Sequence, residues 1–226
     1  MPVGVPKVPA DDEFYFKLAE GEEEEKETWI DLFDRLYRER AIFLCQDINL
    51  EVTNHIVGLM VFLNLDDHTR DQFLFINSTG GTVLHGAAMH NAMFAIEADV
   101  RTIGLGTVAS MAAFVLASGT PPKRFALSHS RVMIHQPKAA FIEGPPDDVA
   151  VDTDSVQRIR NSITDFFATK AGKPFWIVYE DMERDAFMSP EEAEAYGIVD
   201  EVYKPEPKNG EKKEEEKKEE EKQEIE

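Results

Sequence analysis

Apolar positions along this chain switch repeatedly between helical and strand spacing from residue 28 to residue 203. Trp29, Leu32, Phe33, Leu36 and Tyr37 follow helical spacing, and Thr28 with Asp31 makes a capping-box-like start, so structure is expected to begin at Thr28. A strand over 41–44 and a helix over about 50–64 follow, the helix apolar from Ile56 to Leu63. The run 72–76 predicts a strand ending in Asn77-Ser78-Thr79-Gly80-Gly81, with a helix after it to about Ile96. A strand over 100–104 leads to Ser110 and a short apolar helix closed by Gly119. Two more strands, near 124–127 and 131–135, carry the chain to His135.

A second clear amphipathic helix spans 152–170, with Val156, Ile159, Ile163, Phe166 and Phe167 on one face. Asp152 or Asp154 can cap it, and Gly172 then Pro174 stop it. Ser189-Pro190-Glu191-Glu192 opens a short helix that ends at Gly197, before a last strand over 198–203. Strands alternating with helices predict an α/β fold.

At 226 residues the chain can bury one good core with appendages. Residues 1–27 read as a Pro-rich arm followed by a solvated acidic insertion, 28–203 as the folded domain, and 204–226 as a Lys/Glu-rich low-complexity tail with nothing to bury. The formal charge is −20, of which −9 falls in residues 10–34 and −3 in 204–226. That balance argues against nucleic acid and anionic membrane surfaces as partners, since both would repel it. No stretch approaches the roughly 18 to 20 apolar residues of a membrane span. Cys45, the single cysteine, cannot form an internal disulfide, which fits a reducing compartment; its strand-like context predicts a buried, inert thiol. The opening Met1-Pro2-Val3-Gly4-Val5-Pro6 shows neither a signal-peptide core nor an Arg/Ser-rich transit pattern, so the protein is expected to be made where it works or to have lost a targeting segment.

Three neighbourhoods carry candidate chemistry. Ser110 opens a helix just after Gly104-Leu105-Gly106, where glycines permit a sharp turn and close backbone approach. The partly positive helix start suits a developing oxyanion, with the Met111 amide as one donor and the Gly81 amide of the double-glycine turn as a possible second. His135 ends an apolar strand before Gln136-Pro137, and Asp185 lies in Glu180-Asp181-Met182-Glu183-Arg184-Asp185. A hydroxyl nucleophile, an imidazole base and an orienting carboxylate are the parts of an acyl-transfer machine. Each has a plainer reading: Ser110 as an N-cap, Gly80-Gly81 as an ordinary turn, His135 as structural and Asp185 as a surface charge. The order Ser, His, Asp, without a Gly-x-Ser-x-Gly elbow, excludes chymotrypsin-like, subtilisin-like and α/β-hydrolase enzymes. The other histidines, His55, His68, His85, His90 and His129, show no metal-ligand spacing.

Long segments of the chain match one family. Arg38-Glu39-Arg40 with Phe43-Leu44, Phe75-Ile76-Asn77-Ser78-x-Gly80-Gly81, Ala109-Ser110-Met111, Lys123-Arg124, Ser130 through Pro137 and Asp181 through Ser189 resemble the ClpP family, the proteolytic subunits of the ATP-dependent Clp protease, and most closely its plastid-encoded branch. The likeness runs over about 28–203, and the opening nine residues also look like a plastid-encoded start. The resemblance implies a ClpP/crotonase-type fold of repeated ββα units and a serine endopeptidase acting in the plastid (chloroplast stroma). It carries the triad to Ser110, His135 and Asp185, and the backbone oxyanion hole to Gly81 and Met111. It further implies two stacked heptameric rings joined by helix 152–170 as a handle. A ClpC-type AAA+ chaperone of the Hsp100 class would feed unfolded proteins into the chamber; ATP is that partner's cofactor, and none is expected in this chain. Phe73 and Phe75 fall where the family builds docking pockets, although alternation along a strand is also how core residues pack. Substrate would pair as an extended strand with the segment near 80–82 and the strand after Pro137.

Some positions depart from the family pattern. Thr79 stands where the family usually has proline, Thr107-Val108 replaces the usual residues before Ala-Ser-Met, and Pro145-Pro146-Asp147-Asp148 interrupts a segment that is usually flexible, removing two amide donors. The acidic insertion and the tail lie outside the pattern. Two alternatives therefore stand beside the active protease: a catalytically weak or inactive structural subunit of a mixed Clp ring, and a CoA-thioester enzyme of the crotonase type.

Overall fold

A computed structural model describes residues 4–9, 29–139 and 144–204. The acidic insertion and the Lys/Glu tail lie outside the described residues, as does the Thr28 end of the proposed capping box. Structure begins earlier than the periodicity predicts: β1 (Lys7–Pro9) pairs antiparallel with β2 (Trp29–Asp31). Residues 29–31 are therefore extended, and α1 starts only at Leu32, running to Arg38 with Asp31 at its N-cap but no side-chain cap bond. Helical spacing over so short a window includes Trp29 by coincidence.

From there β3 (Ala41–Leu44), α2 (Leu50–Asp66), β4 (Gln72–Ser78), α3 (Val83–Ala95) and β5 (Val100–Ala109) alternate as predicted. They are followed by α4 (Met111–Ala117), β6 (Arg124–Leu127), β7 (Arg131–Ile134), α5 (Pro146–Ala171), α6 (Phe175–Asp181), β8 (Ala186–Met188), α7 (Pro190–Tyr196) and β9 (Glu201–Tyr203). β3, β4, β5, β6 and β9 lie side by side, all parallel. β5 is the pivot. Its first half, 102–104, pairs with β6, and its end, 107–109, pairs with β7 in parallel. β7 in turn pairs antiparallel with β8. The fold is mixed α/β, as expected.

β5 runs five residues beyond the predicted end, so Gly104-Leu105-Gly106 is strand and not a turn. The register against β4 shifts between Ile76 and Ser78, and Gly106 sits where a Cβ would be 2.7 Å from the Asn77 Oδ1. That oxygen accepts from the Thr107 amide at 3.0 Å. Close approach, and not turning, is what the glycine provides here.

The core lies between the sheet and the helices. Leu44, Leu74, Ile76, Ile56, Met60 and Met89 are fully enclosed, and all seven residues of α4 are buried. Each large aliphatic side chain so enclosed contributes roughly 1.5–3 kcal/mol over exposure, which outweighs any propensity difference in a helix of two turns. Arg124 and Asp200 clamp β6 to the last strand. The Arg124 Nε donates to Asp200 Oδ2 at 2.9 Å and its Nη1 to the Gly197 carbonyl at 3.0 Å.

α5 begins six residues before the predicted start, with Pro145 as N-cap and Pro146 at the first helical position. Proline costs nothing there, because first-turn amides have no intrahelical partner, and Asp147 and Asp148 complement the positive helix end. The double proline opens the helix; Asp152 and Asp154 lie inside it and do not cap it. Gly172, at φ +60°, ends it as expected. Its C-terminal half packs into the core through Ile163 and Phe167, whereas Val151 near its start is exposed. α7 carries the predicted capping box, Ser189 with Glu192. The last strand is shorter than expected, 201–203. Cys45 is exposed, contrary to expectation, since the alternation of β3 ends at Leu44. None of the described helices is long and apolar enough to cross a membrane.

Candidate active site

Two strand ladders bring the three candidate residues together. β5 and β7 are in register at Ala109 and Met133, so Ser110 leaves β5 beside Ile134, and its amide donates to the Met133 carbonyl at 2.8 Å. β7 and β8 are in antiparallel register at Ile134 and Ala186; one step outward, the same register sets His135 opposite Asp185. Fifty residues of sequence separation vanish in one strand pairing.

The side chains complete what the backbone sets up. His135 Nε2 lies 2.9 Å from Ser110 Oγ, and His135 Nδ1 lies 2.8 Å from Asp185 Oδ1. With the carboxylate accepting from Nδ1–H, the Nε2 lone pair faces the hydroxyl and can take its proton. His135 is mostly enclosed, at 14% side-chain exposure, while Asp185 is 48% exposed. The hydrogen bond from His135 is the main cause that holds the Asp185 carboxyl below its ordinary range, with the Lys138 ammonium, 3.7 Å away, adding to it. The acid therefore stays ionised wherever the imidazole is to act as base.

Ser110 is not an N-cap in the usual sense. Its side chain makes no bond to the α4 amides. Its backbone sits at φ +57° and ψ −124°, a sparsely populated combination for an L-residue that costs on the order of 1–3 kcal/mol. The strand-to-helix corner thus lifts Oγ toward His135, and burial of α4 behind it holds the strained turn.

Gly80 lies against this corner, and Gly81 lies against Ile48. A Cβ on Gly80 would be 2.8 Å from the Ser110 Cβ and 3.0 Å from the Met111 nitrogen. A Cβ on Gly81 would be 2.2 Å from the Ile48 carbonyl oxygen. Among the described residues neither the Gly81 nor the Met111 amide donates to a protein acceptor. Met111 follows Ser110 directly and Gly81 adjoins Gly80, and unpaired amides so near a hydroxyl can stabilise charge on an oxygen bonded to the atom that hydroxyl attacks. The structure brings Ser110, His135 and Asp185 into one hydrogen-bonded line, with Met111 next in the chain and Gly80, the neighbour of Gly81, against Ser110.

Other contacts support the acid side of the site and escaped sequence reasoning. Met182, fully buried, accepts through its carbonyl from the Gln136 amide at 2.7 Å, tying the His135 strand to the turn before Asp185. Arg160 of α5 pairs with Glu183 in that turn, and its guanidinium carbon stacks 3.6 Å from the centre of the Tyr179 ring. Arg160 lies on the flank of an amphipathic helix, 23 residues before Glu183, and no local signal marks it. Among the described residues no three His, Cys, Asp or Glu side chains are grouped as metal ligands would need.

The other face of the sheet carries an apolar cavity of about 280 Å³. Phe73, Phe75, Ile103, Phe125, Leu127 and Tyr203 line it, with Arg101 at 5.5 Å from the centre of the Phe73 ring. Phe73 and Phe75 are thus half-buried on the opposite face from Leu74 and Ile76, which fill the core.

A family model described as Clp protease matches residues 23–206. Proteins from Sorghum bicolor, Triticum aestivum and Zea mays, each named ATP-dependent Clp protease proteolytic subunit, are 48% identical to this chain over 200 residues, covering 88% of it and 88% of each relative.

Proposed function

The chain belongs to the Clp protease family, and from that premise we propose that it is a serine endopeptidase subunit of an ATP-dependent Clp protease, with Ser110, His135 and Asp185 as its triad. The observation that carries the reading is the unbroken hydrogen-bonded line from Ser110 Oγ through His135 to Asp185 Oδ1. In the reaction His135 Nε2 takes the Ser110 proton as Oγ attacks a peptide carbonyl. The amides of Gly81 and Met111 hold the resulting oxyanion, and His135 returns the proton to the leaving amine. Water, activated by the same imidazole, then releases the acyl group. Asp185 keeps Nδ1 protonated and stabilises the imidazolium without itself taking the proton.

A single protease domain over 28–203 performs this, flanked by the acidic insertion and the Lys/Glu tail. The chain works in stacked heptameric rings joined through α5, whose exposed N-terminal half leaves apolar side chains such as Val151 for a neighbour. A ClpC-type AAA+ chaperone docks at the apolar cavity around Phe73 and Phe75 and uses ATP to deliver unfolded proteins. The chain needs no cofactor of its own, because the triad supplies nucleophile, base and electrostatics from side chains and backbone. The plant relatives and the plastid-like opening residues support a place in the chloroplast stroma. The intact triad weighs against a purely structural subunit, and it has no use in acyl-CoA chemistry that needs only the backbone hole.

The test is degradation of an unfolded protein by the native complex with its chaperone and ATP. A Ser110→Ala subunit is expected to lower its own share of turnover by about 10³-fold or more. Turnover unchanged by that substitution, with every other subunit already inactivated, would overturn the reading.

A further inference from the structure

The Ser78–Thr82 loop is held from behind by the segment Asp47-Ile48-Asn49. The Ile48 amide donates to the Gly80 carbonyl at 2.8 Å, and the Thr82 amide donates to the Ile48 carbonyl at 3.3 Å. Within the loop the Gly80 amide donates to Ser78 Oγ at 3.1 Å. These bonds engage Gly80 and Thr82 and leave the Gly81 amide without a protein acceptor among the described residues. Asn49 is itself fixed, because its side chain accepts from the Val52 amide at 3.0 Å and so caps α2. One further contact remains: the Thr79 hydroxyl donates to Asp47 Oδ1 at 2.5 Å, across 32 residues of sequence.

We propose that Thr79 and Asp47 form a brace that positions the Gly81 amide in the oxyanion hole. The inference rests on the assignment of that amide above and deepens it. Gly80 and Gly81, at φ +98° and +158°, are two adjacent residues with wide backbone freedom. A donor that stabilises a transition state must be fixed before the reaction, since reorientation during it forfeits the gain. A proline at position 79 would restrict the loop from within by locking φ. This chain has threonine there, and restricts the loop from outside instead. The β-branched side chain is stiff at χ1, and its acceptor is a carboxylate, which makes a stronger hydrogen bond than a neutral oxygen. Rigidity thus passes from the α2 N-terminus through Asn49, Ile48 and Asp47 to Thr79, two residues from the donor.

Both residues act through Gly81 and touch no reacting atom, so they are positioning residues. The test uses the full chain in its native assembly, a fluorogenic peptide as substrate, and a peptide boronic acid as probe, whose tetrahedral adduct on Ser110 places an oxygen in the hole. Thr79→Val and Asp47→Ala are each expected to lower kcat about three- to tenfold with KM little changed, and to weaken the boronate by the same factor. The double variant should be no worse than either single one. Thr79→Ser and Asp47→Asn keep a hydrogen bond but lose the β-branch or the charge, so each should fall between wild type and its disruptive counterpart, and Thr79→Pro in the Asp47→Ala background should restore activity by the internal route. A merely structural role would lower thermal stability while leaving the boronate's affinity unchanged, and that result overturns the brace. Wild-type kcat and boronate affinity in both Thr79→Val and Asp47→Ala also overturn it, leaving the protease assignment intact. A wild-type complex that the boronate does not inhibit overturns the assignment itself and the brace with it.

Discussion

Replacing Asp185 by asparagine removes one charge and almost no volume, and so isolates the electrostatic part of the triad. The carboxylate meets His135 Nδ1 at 2.8 Å but is half-exposed, and Lys138 is its only other charged neighbour within 4 Å among the described residues. Solvent reaches this carboxylate and screens its charge, so its electrostatic hold on the imidazole is weaker than that of an enclosed acid. The amide also has a second orientation, with its NH2 donating to Nδ1, which forces the proton onto Nε2 and leaves nothing to accept from Ser110. Together the lost charge and the wrong tautomer predict a kcat loss of about 10²–10³-fold. That is less than the roughly 10⁴-fold known where the acid is buried. The assay is hydrolysis of a fluorogenic peptide by the native assembly, with the rate of fluorophosphonate labelling in parallel, since both depend on the same proton transfer. A loss below about tenfold in both, with assembly retained, would refute the reasoning, because the acid would then neither charge nor orient the base.

Three other outcomes follow from the geometry. Gly81→Ala puts a Cβ against the Ile48 carbonyl and must move the loop, so kcat should fall about a hundredfold while the fold survives by circular dichroism. Arg160→Met breaks the Glu183 pair and the Tyr179 stack, and should lower kcat about tenfold in the peptide assay, with Arg160→Lys intermediate because it keeps the charge but not the planar fork. Asp200→Ala leaves the Arg124 guanidinium, at 7% exposure, without its carboxylate and should cost about 3 kcal/mol in urea unfolding. Acid has the same target: burial would raise the Asp200 carboxyl, but hydrogen bonds and charge from Arg124 outweigh it and hold it below its ordinary range. A lowered folded-state value gives stability that is complete above the unfolded value of about 4 and drains away as pH falls through the folded one, so the variant should show a flatter loss of stability below about pH 4 than wild type.

The alternation of strands and helices was legible because most elements have one buried face, as with Leu74 and Ile76 against Phe73 and Phe75. The start of the domain was not, because β2 is held to β1 through backbone pairing that side-chain periodicity does not record. α6 and β8 went unread for a related reason. Phe175, Trp176 and Ile177 are all at least partly exposed, and β8 is three residues long, so neither has a periodic signature. The double proline before α5 looked like an interruption, whereas first-turn geometry makes it a start. At the site, local sequence offered Ser110, His135 and Asp185 only beside plainer readings, and it was the family resemblance that singled them out. The strand register that sets His135 against Asp185, and the positive-φ backbone of Ser110, are properties of the fold and are written in no local segment. Arg160 and Asp47 stayed invisible because each acts on a segment far along the chain through a single side-chain contact.

The central claim is that Ser110 is a nucleophile in this subunit, and intact-mass analysis of the native complex treated with a fluorophosphonate tests it most directly. The account predicts one phosphonyl adduct on this chain, mapped to Ser110 by peptide fragmentation and abolished in Ser110→Ala. A fully assembled, proteolytically active complex in which neighbouring subunits carry the adduct and this chain carries none would contradict it.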